Sequence, residues 1–130
     1  MQSREEPARH SETILLVDDQ EDVRSVVRRI LAARGYHVLV AASGEDALRL
    51  TVNFPRIDLL VTDVVMPGMS GREVALLLAP AHPRMKTLYL SGYADQSLIP
   101  TGMLLPGAAF LAKPFTVAGL AHKVREVLDS

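Results

Sequence analysis

Ile57-Asp58-Leu59-Leu60-Val61-Thr62-Asp63, followed by Val64-Val65-Met66-Pro67-Gly68-Met69-Ser70-Gly71, is the stretch whose reading decides the fold. A short apolar run ends in a single acid, and the chain then turns at once through Pro67, Gly68 and Gly71. A run of this kind, bounded by turn residues, reads as a strand buried on both faces, as in parallel sheets. An aspartate at the carboxyl end of such a strand stands where open α/β sheets bind their ligands. Asp63 is therefore the first candidate for chemistry.

Outward from this strand the same grammar repeats. Thr13-Ile14-Leu15-Leu16-Val17 is a second buried-strand signature, and it ends in Asp18-Asp19. From Glu21, Val23, Val26, Val27, Ile30 and Leu31 recur at helical spacing, and Gly35 supplies a C-terminal stop. Tyr36–Val40 reads as a strand, and Ser43-Gly44-Glu45-Asp46 opens a short helix that Pro55 ends. Beyond Gly71, Val74, Leu77 and Leu78 mark another short helix, closed by Pro80 and Pro83. Thr87–Leu90 is a strand ending in Ser91-Gly92, and Ala108–Ala112 is one ending in Lys113-Pro114. A last helix starts near Thr116 with Val117, Leu120, Ala121, Val124 and Leu128 on one stripe.

The segment between the last two strands breaks the pattern. Pro100 and Gly102 interrupt Leu98, Ile99, Met103 and Leu104, and in a helix interior proline costs about 3 kcal/mol and glycine about 1 kcal/mol relative to alanine. A short or irregular element is expected there.

Strands alternating with helices imply a parallel sheet covered on both faces. Five strands with right-handed crossovers suit the flavodoxin-like order 2-1-3-4-5. In that order Asp18, Asp19, Asp63, Ser91 and Lys113 all fall along one edge of the sheet. Crowded carboxylates repel, and a hard divalent cation relieves the repulsion. An all-oxygen site suits Mg²⁺. An aspartate beside Mg²⁺ can act as a nucleophile on phosphorus, with Lys113 and a hydroxyl from Ser91 to meet the equatorial oxygens.

Bulk composition narrows the alternatives. The 130 residues, 48% hydrophobic and 22% charged with a net charge of −1, suit one soluble domain. That balance offers no electrostatic reason to expect nucleic acid or a membrane surface as partner. The absence of cysteine removes disulfides and thiolate chemistry and fits a cytoplasmic location. The four histidines, at 10, 37, 82 and 122, lack metal-ligand spacing. Residues 1–12 read as a disordered tail or linker remnant, and 13–129 as the domain.

Taken in order, Asp18-Asp19, Asp63 with Met66-Pro67-Gly68 and Gly71, Ser91-Gly92, and Lys113-Pro114-Phe115 resemble a response-regulator receiver domain of two-component signalling. The likeness runs from about Ile14 to Leu128. Leu90–Asp95 resembles the receivers of hybrid histidine kinases in particular. The resemblance implies that Asp63 accepts a phosphoryl group from a kinase phosphohistidine. It implies that Asp18, Asp19, Asp63 and the backbone carbonyl of Val65 hold Mg²⁺, and that Ser91 and Lys113 bind phosphoryl oxygens. Ser91 and Phe110 would form the switch, with Phe110 in the core. Val65 and Tyr93 would flank the path of attacking water, and the Lys113–Pro114 bond would be cis. The implied partner is a sensor histidine kinase or a histidine phosphotransfer domain. The receiver is expected to be a monomer and not an enzyme with a separate substrate.

Two other functions fit parts of the pattern. An aspartate-nucleophile Mg²⁺ phosphatase would want a second acid two residues after Asp63, where Val65 stands. A pseudo-receiver that binds partners without phosphorylation would not need the intact acid set. Arg24, Arg28, Arg29 and Arg34 read as a solvated helix face, with kinase docking near the first helix as the reading the resemblance adds.

Overall fold

In a computed structural model, which describes residues 11–92 and 109–130, the strands are β1 (Thr13–Val17), β2 (His37–Ala41), β3 (Leu59–Asp63), β4 (Lys86–Ser91) and β5 (Ala109–Ala112). The helices are α1 (Glu21–Ala33), α2 (Gly44–Thr51), α3 (Gly71–Leu78) and α4 (Val117–Asp129). All strand pairs are parallel, and the sheet order is β2-β1-β3-β4-β5. This is the flavodoxin-like order read from the sequence. The expected irregular element between β4 and β5 lies outside the described residues.

Strand alternation divides the core between two layers. Ile14 and Leu16, with Leu59, Val61, Leu88 and Leu90, pack against Val27 and Leu31 of α1 and Leu120, Val124 and Val127 of α4. Leu15, Val17 and Leu60 face the other way, against Ala47 of α2 and Val74, Ala75 and Leu78 of α3. With helices on both faces, the central strands run as continuous buried stretches instead of alternating: β3 is buried at every position and β1 from Ile14 to Val17. Each buried leucine or valine contributes roughly 1.5–3 kcal/mol.

Local chemistry sets the helix ends. Ser43, Ser70 and Thr116 each accept a hydrogen bond from the backbone N–H three residues on, at the starts of α2, α3 and α4. At α3 the bond is reciprocal, because Glu73 accepts from Ser70 N at 2.9 Å. α1 ends with Gly35 at φ +93°. Gly35 N donates to Ala32 O and Tyr36 N to Leu31 O, the paired bonds of a Schellman stop, and Tyr36 packs into the core beside Leu31.

Two sequence readings change here. Glu12, assigned to the tail, is tied in: its carbonyl accepts from His37 N and its carboxylate meets Arg125 at 2.8 Å. Phe110, expected in the core, is exposed at 36%. β5 is an edge strand, and its Ala109 and Leu111 pack toward α1 and α4. Pleat alternation therefore turns Phe110 to the opposite face.

Candidate acidic site at the carboxyl edge of the sheet

The strand order reverses between β1 and β3, and a crevice opens outside their carboxyl ends. Val17 pairs with Thr62, so the next residues, Asp18 and Asp63, emerge side by side. Carboxylate oxygens of Asp18, Asp19 and Asp63 lie within 4.8 Å of one another. Asp18 and Asp63 are buried, at 0% and 6% exposure, whereas Asp19 faces solvent.

Lys113 enters from the neighbouring side. Ser91 pairs with Ala112, and Lys113 N donates to Ser91 O at 2.9 Å, which carries the β4–β5 pairing one residue further. Lys113 Nζ lies 2.8 Å from Asp63 Oδ1 and 3.7 Å from Asp18 Oδ2. The Lys113–Pro114 bond is cis. Ser91 is buried at the end of β4, on the same edge.

The electrostatics follow from this crowding. Burial pushes the Asp18 carboxyl above its ordinary value, partly offset by the Gln20 N–H and by Lys113. Burial alone would lower the Lys113 ammonium. The hydrogen bond and charge of Asp63, with Asp18 beyond, outweigh it, and the net shift is upward. Asp18 Oδ1 accepts from Gln20 N at 2.8 Å, but Asp18 Oδ2 is buried without a hydrogen bond. A buried carboxylate oxygen in that condition, inside an all-oxygen cluster, fits a hard divalent cation.

The loop after Asp63 is pinned to the sheet. Val64 N donates to Leu90 O, and Gly71 N donates back to Val64 O. A Cβ on Gly71 would stand 2.1 Å from Asp63 O, so only glycine lets α3 begin so close to the acid. Gly68, at φ +78°, makes the turn between them. Val65 is half exposed in this loop. Tyr93 lies outside the described residues.

One contact departs from the sequence reading. Arg24 is not simply part of a solvated face: its Nη1 donates to Asp18 O at 2.7 Å. The only signal for it was its place in the first turn of α1, and an arginine on that helix reads the same there as Arg28 does one turn later.

Residues 14–125 match the response regulator receiver domain family. The chain is 41% identical over 123 residues to the sensor kinase CckA of Brucella abortus, covering 92% of this chain and 13% of that kinase. It is 33% identical to the response regulator receiver protein CpdR of the same organism, covering 88% of this chain and 95% of CpdR. Among solved structures, the receiver domain of hybrid histidine kinase CckA aligns with a TM-score of 0.75 and 36% identity, covering 89% and 98% of the two chains. A response regulator receiver protein from Sinorhizobium medicae aligns with a TM-score of 0.80 and 30% identity, covering 93% and 97%. Fold and site thus define a receiver of two-component systems. The chain belongs to the response regulator receiver family, and receivers of hybrid sensor kinases are among its relatives.

Proposed function

We propose that residues 13–129 form a phosphoacceptor receiver in which Asp63 takes a phosphoryl group from the phosphohistidine of a sensor kinase or a phosphotransfer domain. The observation that carries this reading is the convergence of Asp18, Asp19 and Asp63 within 4.8 Å, with Lys113 Nζ at 2.8 Å from Asp63. One Asp63 carboxylate oxygen forms the new bond to phosphorus as the phosphorus–nitrogen bond breaks, and the electron pair returns to the partner's imidazole.

Asp18, Asp19, Asp63 and the Val65 carbonyl would hold Mg²⁺, which when bound offsets charge on the phosphoryl oxygens. Lys113, already directed at Asp63, keeps its proton and meets one of those oxygens. Ser91 meets another through its hydroxyl, and this movement is coupled to Phe110. The exposure of Phe110 supports a switch at the surface: the ring has somewhere to move. Val65 and Tyr93 flank the approach of water and set the lifetime of the phosphoryl group. The domain takes part in its own phosphorylation and has no separate substrate.

Intact-mass analysis after acetyl phosphate with Mg²⁺ is the direct test. Wild type is expected to gain one phosphoryl group and Asp63→Asn none. A labelled Asp63→Asn protein would remove Asp63 from the role.

A further inference from the structure

We infer that Arg24 is a positioning residue for the acidic site, acting through the backbone of Asp18 and not through any carboxylate. The inference rests on the reading of that site as a cation and phosphoryl site. Asp18 is wholly buried, main chain included, and its carbonyl lies just beyond the last ladder position of β1. The donor that reaches this carbonyl is Arg24 Nη1, at 2.7 Å. Arg24 N itself donates to Gln20 O, so the side chain springs from the first turn of α1, next to the loop it holds.

The turn is therefore held from both sides. Asp18 N donates to Ala41 O on β2, which fixes the strand side. Gln20 N donates to Asp18 Oδ1, which sets the side-chain rotation. Arg24 holds the remaining group, the carbonyl, from the helix side. α1 needs such a tie, because its N-cap residue, Gln20, makes no side-chain capping bond.

The choice of acceptor matters. A guanidinium commonly forms a forked pair with a carboxylate. Here no ion pair joins Arg24 to Asp18 or Asp19 among the described residues. A pair of that kind would compete with a cation for the same oxygens. Bonding the carbonyl instead fixes the Asp18–Asp19 turn and leaves the carboxylates free to face Asp63. Partners that orient metal ligands in this way typically change metal affinity by about 10–100-fold when removed.

The test is calorimetric and NMR titration of the folded protein with Mg²⁺ alone, in wild type, Arg24→Met, Arg24→Lys and Arg28→Met. Methionine keeps the stem without a donor, lysine keeps a charged donor, and Arg28 is an exposed arginine of the same helix. We expect Arg24→Met to bind Mg²⁺ roughly tenfold or more weakly. Arg24→Lys should recover part of that loss, and Arg28→Met should match wild type. Backbone amide exchange at Asp19 and Gln20 should quicken in Arg24→Met while the sheet amides stay protected. Wild-type affinity in Arg24→Met would overturn the inference, as would an equal loss in Arg28→Met, which would assign the effect to net charge. Should Arg24→Met not fold, Arg24→Gln, too short to reach the carbonyl, takes its place with the same outcomes. Failure of wild type to bind Mg²⁺ would remove the reading of the site itself, and this inference with it.

Discussion

Asp18 is the residue in which the constraints of the site meet. Its backbone N–H and carbonyl are tied to β2 and α1, one carboxylate oxygen caps Gln20, and the other stands buried near Lys113. Burial raises its pKa above the ordinary 3.8. The folded protein then holds this proton to higher pH than the unfolded chain. In metal-free buffer its contribution falls as pH rises through the window above that ordinary value, and it is constant beyond. Asp18→Asn lacks this fall, so the variant should gain stability relative to wild type as pH rises from acid to neutral in EDTA. Paired urea titrations across that range measure it, and a pH-independent difference would contradict the assignment. Val65 makes a kinetic prediction at the same scale. Its apolar side chain cannot orient water as an amide can, so Val65→Asn should shorten the phosphoryl lifetime severalfold. Decay of intact-mass signal after donor removal reads this directly, and equal lifetimes would take Val65 off the water path.

At the scale of elements, β3 and α3 form one device. The strand delivers Asp63, the loop turns at Gly68, and α3 begins against the back of the acid at Gly71. Gly71→Ala places a Cβ 2.1 Å from Asp63 O, a distance that backbone must move to relieve. Strain of this kind costs roughly 1–3 kcal/mol. The displaced atoms belong to Asp63, the proposed phosphoacceptor, so Gly71→Ala should also slow phosphoryl uptake. Chemical denaturation and uptake kinetics on the one variant test both, and wild-type uptake in a destabilised protein would separate packing from positioning. The reciprocal Ser70–Glu73 cap makes the start of α3 the firmly held side of this contact. Strain is therefore expected to appear at Asp63, not in the helix.

For the whole molecule, the carboxyl edge concentrates like charge in a buried place, and the rest of the fold holds it there. The two apolar layers, one with α1 and α4 and one with α2 and α3, fix the strands that aim the acids. A cation bound only by the folded state should add stability by mass action, about 2.7 kcal/mol at a hundredfold excess over its Kd. For a domain of this size that corresponds to a rise in Tm of roughly 10 °C. Thermal melts with and without Mg²⁺ check it, and Asp63→Asn should show a smaller rise. An equal rise in wild type and variant would place the cation elsewhere. Among the described residues no helix is long and apolar enough to cross a membrane. The chain spans 13% of the CckA sensor kinase and 95% of CpdR, so the receiver unit is shared by relatives of very different length.

The strands and helices were legible from the sequence because each is dictated by near neighbours. Buried runs such as Ile14–Val17 end in acids, serines sit at helix starts, and Gly35 stops α1. The acidic edge was legible too, since a parallel sheet places every strand's carboxyl end on the same side. Other features depended on contacts between residues distant in sequence or on the position of a strand in the sheet. Phe110 sits in an apolar run and reads as core, yet β5 is an edge strand and pleating turns the ring outward. Glu12 looks like tail until Arg125, far along the chain on α4, reaches it. Arg24 and Arg28 lie one turn apart on the same helix, and only the packing of α1 beside β1 brings one of them to the Asp18 carbonyl. Local sequence determined which elements form and where their acids lie. Tertiary structure decided which of several similar side chains touch the site, because those contacts depend on three-dimensional distance and not on spacing along the chain.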